Sequence, residues 1–142
     1  MNRVIVVQPG TGEAISGGTS VRHVKVDIES LHVTEYSVGT SPMGDIHTHE
    51  RHADAFYVLE GELEVALSDS ETVVLGPGGF AVAPPGAIHA FGVPERARFL
   101  NIHAPGMSFA AYLREIVALR EKGEKPNREL FERFDMHLRK ER

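Results

Sequence analysis

Cysteine is absent from the 142 residues. That removes disulfides, thiolate ligands and cysteine nucleophiles from consideration. No apolar run approaches the roughly 18 residues a membrane span needs. The first residues do not follow the charged-then-apolar order of a secretory leader: Arg3 leads only into "VIVV" before Gln8-Pro9-Gly10. A cytoplasmic protein without a membrane partner is the expectation. A basic stripe is also missing. The formal net charge is -5; residues 1–111 hold 6 Lys+Arg against 13 Asp+Glu, and residues 112–142 hold 9 against 7. An acidic body argues against a nucleic-acid partner. The mixed-sign tail reads as the solvated face of helices.

What is present is the composition of one soluble globular domain, with 42% hydrophobic and 25% charged residues. Up to about residue 105 the chain is written in short strands with turn punctuation. "RVIVV" is bounded by "QPGTG". "TSVRHVKVDI", "LHVTEYSV", "AFYVLEGELEVAL", "TVVL", "FAVAPPG", "IHAFGV" and "ARFLNIHAP" follow, separated by Gly- and Pro-rich segments. "LEGELEVALSDSETVVL" reads as two hairpins in series, turning at Glu60-Gly61 and again at "SDSE". Many short strands at regular spacing predict a sandwich or barrel rather than a parallel sheet with crossover helices.

After Pro105 the period changes to 3.6. Phe109, Tyr112, Leu113, Ile116, Val117 and Leu119 line one stripe, with Ser108 as a candidate cap and Lys122-Gly123 then Pro126 as stop signals. Asn127 can cap a second helix, "RELFERFDMHLRK", striped by Leu130, Phe131, Phe134 and Leu138. The expected organisation is a β-barrel over residues 1–106 and a helical appendage over 107–142, packed on the barrel or on a partner subunit.

Chemistry concentrates in "GDIHTHERHADAFYVLEGE", residues 44–62. In extended chain, residues two apart point the same way, so His47 and His49 present two imidazoles on one side. Asp54 is the nearest carboxylate on the following strand. His89, fixed behind the turn Pro84-Pro85-Gly86, supplies a further imidazole from far along the chain. Imidazole nitrogen suits zinc, iron, copper and nickel, and an added carboxylate suits iron or manganese.

These residues resemble the two motifs of the cupin family. The first reads His47-Thr48-His49, four residues, Asp54, six residues, Gly61. The second reads Gly78, five residues, Pro84-Pro85-Gly86, two residues, His89, three residues, Val93. Asp54 stands where the family carries Glu, and Val93 where it carries Asn. The resemblance implies an all-β jelly-roll barrel, the double-stranded β-helix, with the two helices added at the C-terminus. It implies one divalent transition metal per chain (iron, manganese, nickel, zinc or copper) on His47, His49, Asp54 and His89, with His52 as an alternative ligand. Cupins include dioxygenases, isomerases, epimerases, decarboxylases, sugar-binding regulators and storage proteins. The likeness to small dioxygenase-like cupins implies oxygenation of an enol, phenolic or diketone substrate first. Isomerisation of a sugar or keto acid is second, and a small-molecule-binding or regulatory role without turnover is the non-enzymatic alternative.

Further residues are candidates for the pocket. Asn101 and His103 lie two apart on a late strand and can face it. Phe56 and Phe91 are core first and pocket wall second. Glu35 shares a face with Leu31 and Val33; inside a barrel it would be a carboxylate among apolar neighbours and a candidate general base. The "RVIVV" strand can add to the sheet edge of a second copy, giving a symmetric homodimer.

Overall fold

The computed structural model describes residues 2–139. Its first strands are β1 (Glu13–Gly17), β2 (Ser20–Ile28), β3 (Leu31–Val38), β4 (His47–Thr48) and β5 (Ala53–Gly61). Then come β6 (Leu63–Ala66), β7 (Thr72–Leu75), β8 (Phe80–Ala83), β9 (Ala90–Gly92) and β10 (Ala97–Ala104). Two helices, α1 (Phe109–Glu121) and α2 (Arg128–Arg133), and a last short strand, β11 (His137–Leu138), complete the order. A six-stranded sheet in the order β1-β2-β3-β10-β5-β8 faces a three-stranded sheet, β7-β6-β9, and β11 pairs with β4. Every pairing between named strands is antiparallel. This is the jelly-roll architecture that the family resemblance implies, and one form of the sandwich or barrel that the strand grammar predicts.

Register places the interior in rows. On β10 the buried residues alternate as Ala97, Phe99, Asn101 and His103, because successive side chains of a strand point to opposite faces. Pairing with β3 and β5 sets His103 between His32 and Asp54, Asn101 between Thr34 and Phe56, and Phe99 between Tyr36 and Val58. One end of the inner face is therefore polar and the other aromatic. Tyr36 and Phe99 stack with centroids 5.0 Å apart, and Phe91 meets Phe56 at 5.4 Å. Phe56, Val58, Leu63 and Phe99 are essentially inaccessible to solvent, and burying such a side chain contributes about 1.5–3 kcal/mol each.

The chain does not turn back at Glu60-Gly61. β5 pairs with β10 and β8, whereas β6 pairs with β7 and β9. Gly61 is where the strand leaves one sheet for the other. Its φ is 73°, and a Cβ there would lie 2.1 Å from the Arg96 carbonyl oxygen. Only glycine meets both demands. The second expected hairpin, β6 to β7, is present.

"RVIVV" forms no strand within the single chain; Val4, Ile5 and Val6 are 89%, 56% and 72% exposed. The large sheet ends at β1 and β8, and the segment pairs with neither among the described residues. Ser108 makes no side-chain cap; it sits at φ 52°, and Asp27 Oδ1 accepts from the Ala110 N–H instead. Asn127 does cap α2, accepting from the Leu130 N–H at 2.9 Å. That helix is much shorter than its apolar stripe predicts. It ends at Arg133, Asp135 turns at φ 60°, and His137–Leu138 become a strand. Strand pairing with β4 and the burial of Asp135 override the helical period there. The helices pack in the same core: Phe109 stacks on Tyr112 at 4.8 Å, and Tyr112 meets Phe134 at 5.5 Å. No helix among the described residues is long and apolar enough to cross a membrane.

Candidate metal centre

Two short backbone pairings assemble the cluster. His47 and His89 exchange main-chain hydrogen bonds, 3.1 and 3.0 Å, although 42 residues separate them. The Gly86 N–H donates to the His49 carbonyl at 2.8 Å, which docks the Pro84-Pro85-Gly86 turn on the first motif. Asp54 comes up from β5 on the inner face. One ligand-type atom from each of His47, His49, Asp54 and His89 lies within 4.8 Å of the others.

The second nitrogen of each ring settles which atom faces the cluster. His47 Nδ1 donates to the Asp45 carbonyl at 2.9 Å, His89 Nδ1 to the Ala87 carbonyl at 3.0 Å, and His49 Nδ1 to the Asp135 carbonyl at 2.8 Å. A main-chain carbonyl only accepts, so each Nδ1 carries the hydrogen and each neutral ring keeps its lone pair on Nε2. His49 Nε2 and His89 Nε2 lie 3.1 and 3.0 Å from Asp54 Oδ2. Lone pairs converging on a carboxylate oxygen repel unless a cation or proton sits among them. Three imidazoles and one carboxylate suit a divalent transition metal.

Electrostatics agree with that use at His47 and Asp54, while without a cation the Asp54 charge favours a proton on His89. Burial, then the neighbouring His89 and His49 rings, push His47 down to about 4, so it is neutral at ordinary pH. Burial works against the Asp54 carboxylate, but His103 and then His49 and His89 hold its carboxyl well below the usual range. Burial likewise pulls His89 down, and the Asp54 hydrogen bond and charge more than offset it, leaving that ring raised.

A second layer is built from residues whose roles the motifs do not specify. Asn101 Nδ2 donates to Asp54 Oδ1 at 2.6 Å and to the Ala55 carbonyl at 3.2 Å, and its Oδ1 faces His103 Nε2 at 2.9 Å. His103 Nδ1 lies 2.8 Å from His52 Nε2, and His52 Nδ1 donates to Asp135 Oδ2 at 2.7 Å. Burial pushes His103 down to about 3, against the pull of the Asp54 charge. His49, His52 and His103 form a second group whose nitrogens come within 4.8 Å of one another. His52 is thus a buried neighbour of the cluster, with one nitrogen committed to Asp135.

The sequence candidates separate clearly. His47, His49, Asp54 and His89 come together, with His52, Asn101 and His103 immediately behind. Phe56 and Phe91 belong to the aromatic end of the interior. Glu35 does not reach the site. The inward residues of β3 are His32, Thr34, Tyr36 and Val38, and Glu35 pairs with Arg98 at 3.0 Å on the opposite face. The apolar neighbours Leu31 and Val33 are on that outer face too. Asp135, fully buried and with its carboxylate hydrogen-bonded to four donors, is the residue that sequence reasoning missed. Its placement inside an apparent helical stripe hid it; the tolerance of aspartate for positive φ was the one available signal.

Residues 32–103, which contain both motifs and the three inner rows, match the Cupin domain family. The chain belongs to the cupin family. It is similar to quercetin 2,3-dioxygenase of Bacillus subtilis, 25% identical over 109 residues, covering 72% of this chain and 32% of that protein. This cupin therefore spans about a third of the length of that relative. An RmlC-like cupin from Shewanella frigidimarina shares the fold, with a TM-score of 0.61 and 24% identity over 70% of this chain and 88% of the other. The polyketide cyclase RemF from Streptomyces resistomycificus aligns with a TM-score of 0.54 and 26% identity, covering 73% of this cupin and 79% of the cyclase.

Proposed function

We propose that this cupin binds one divalent transition metal through His47, His49, Asp54 and His89, and oxidises a small enol, phenolic or diketone substrate in a dioxygenase-like reaction. The observation that carries the reading is the set of three imidazoles, each locked by a main-chain carbonyl so that its Nε2 is left free for the cluster, with the Nε2 atoms of His49 and His89 at 3.1 and 3.0 Å from Asp54 Oδ2. A bound metal supplies Lewis acidity toward a substrate oxygen. The chain's own residues do the rest. Asp54 offsets part of the cation's charge, Asn101 holds that carboxylate in place, and the low proton affinity of His47 keeps its lone pair available. Likeness to the Bacillus dioxygenase supports oxidation as the first activity.

The test is elemental analysis of tag-free protein beside a His89→Ala variant, followed by oxygen uptake with flavonol, enol and diketone substrates. Near one metal per chain, lost in the variant, with oxygen consumed, is the expected result. Metal-free protein that takes up none overturns the reading. The likeness to a polyketide cyclase supports a second reading, non-redox carbonyl chemistry such as isomerisation at the same centre. Turnover of a keto substrate without oxygen consumption selects it, and ligand binding without any turnover selects a binding role.

We also propose that the "RVIVV" segment pairs with a sheet edge of a second copy, giving a symmetric homodimer. The exposure of Val4, Ile5 and Val6 supports it, since isolated β-branched residues gain little from water. Light scattering is expected to give twice the chain mass, and a monomer on removal of residues 2–7. A monomeric mass for the intact chain refutes the pairing.

A further inference from the structure

We infer that Asp135 is a positioning residue for the metal centre, and that docking of residues 134–139 is coupled to metal binding. The inference rests on the metal reading above and concerns a part of the chain outside both motifs. Asp135 faces the first motif with every oxygen it has. Its main-chain carbonyl accepts from His49 Nδ1 at 2.8 Å. Oδ1 accepts from the Glu50 N–H at 3.1 Å and from His137 Nε2 at 3.0 Å; Oδ2 accepts from the Arg51 N–H at 2.8 Å and from His52 Nδ1 at 2.7 Å. The residue is completely buried and sits at φ 60°. That left-handed conformation costs a non-glycine residue about 1–2 kcal/mol, and it aims carbonyl and carboxylate together at residues 49–52.

The flanking chain holds the same strand. His137 pairs with Thr48 and Leu138 with His47, and the Arg139 N–H donates to the Ile46 carbonyl at 3.1 Å. Two of the four candidate ligands, His47 and His49, therefore stand on a segment whose outer partner is the C-terminal region. Behind it, Leu130, Phe131 and Phe134 are buried in the core, and the Met136 N–H donates to the Phe131 carbonyl at 2.9 Å. If the segment lifts away, His49 Nδ1 loses its acceptor and with it the preference for a lone pair on Nε2. Linkage then runs both ways: a metal that fixes His49 favours the docked segment by the same factor by which docking favours the metal.

The test uses cobalt(II) as the probe with the metal-free full chain, and compares Asp135→Ala, Asp135→Asn and the remote Glu13→Gln. Outer partners of metal ligands typically contribute about 10–100-fold to affinity. Asp135→Ala is expected to weaken the cobalt dissociation constant by that order and to alter the visible absorption bands. Asp135→Asn, which keeps one side-chain acceptor oxygen and the side-chain size, is expected to lie between it and the parent, and Glu13→Gln to match the parent. Folded Asp135 variants that bind cobalt with unchanged affinity and spectrum overturn the inference while leaving the metal reading intact. Parent protein that takes up no cobalt overturns both. Should the Asp135 variants not fold, hydrogen exchange on the parent decides: cobalt is expected to slow the Glu50 and Arg51 amides, and equal rates with and without it overturn the coupling.

Discussion

His49 Nδ1 hydrogen-bonds the Asp135 main-chain carbonyl across 86 residues of sequence, at 2.8 Å. The same arrangement recurs locally at His47 with Asp45 and at His89 with Ala87. Two rings are thus oriented by a residue two positions before them and the third by the far end of the chain. Preorganised lone pairs gain stability when a cation joins them. Removing metal with a chelator should lower the thermal midpoint, and restoring it should raise the midpoint with concentration. A ligand at 100 times its dissociation constant adds about 2.7 kcal/mol. A midpoint indifferent to both treatments would speak against a metal on this cluster.

Asp54 carries the only carboxylate among the four candidate ligands, and Asp54→Asn removes its charge at nearly constant volume. The variant should lose more metal affinity than the 10–100-fold typical of outer partners, measured by competition with a chromophoric chelator. The aspartate is one methylene shorter than the glutamate of the family motif. Its Oδ2 nevertheless lies within hydrogen-bond distance of both His49 and His89, so Asp54→Glu should crowd the rings and bind metal less well than the parent. Equal affinity in Asp54→Asn would remove the aspartate from the ligand set.

Asn101 joins Asp54 to His103 and is almost wholly buried. Asn101→Ala leaves buried groups on both neighbours without their partner, a cost of about 1–3 kcal/mol for each group left unsatisfied. Chemical denaturation should show a loss of that order, together with weaker metal binding. No change in stability would mean that Asp54 and His103 find other partners.

Glu35 gives the opposite expectation. It shares Arg98 with Glu60 on the outer face, and both sides of the pair are partly exposed, so Glu35→Gln should cost under about 1 kcal/mol. Metal content and turnover should be unchanged. The residue shows where sequence reading stops. Alternation assigned β3 two faces correctly but could not say which was inside, because Leu31 and Val33 are apolar on the outer one while His32 and Thr34 are polar within. The bounds of β3 and β7 were legible, as were both motifs, since each is local. The crossing at Gly61, the end of α2 and the placement of Asp135 depend on pairings between distant segments, which no local period reports.

Gly61→Ala tests the crossing directly. The added Cβ meets the Arg96 carbonyl oxygen, which is backbone and cannot rotate away, and φ is positive. Destabilisation should exceed the roughly 1 kcal/mol of an ordinary unfavourable glycine replacement, read from the denaturation midpoint. A neutral effect would show that β5 and β6 can join by another path.

Acid should destabilise the metal-free protein, and the sign follows from the buried rings. His47 and His103 titrate at about 4 and about 3 when folded, well below the 6.5 of a free ring, chiefly because burial penalises their charged forms. The unfolded chain therefore takes up protons near pH 6.5 that the folded chain refuses until much lower. Stability from these rings is complete above 6.5 and falls as pH drops toward 4 and 3. Burial lowers His32 and His52 in the same direction. His89 opposes them: its folded pKa is raised, so its contribution is present below 6.5 and is lost as pH rises through that raised value. Four rings against one set the net sign. Asp135, held at about 2 chiefly by the Arg51 amide and His52 against the cost of burial, adds a further loss below 3.8. Thermal midpoints of chelator-treated protein should therefore fall between pH 6.5 and 4, and fall more steeply below that. A midpoint that is flat or rises over the upper interval would show that these rings, taken together, do not titrate below the free value in the folded state.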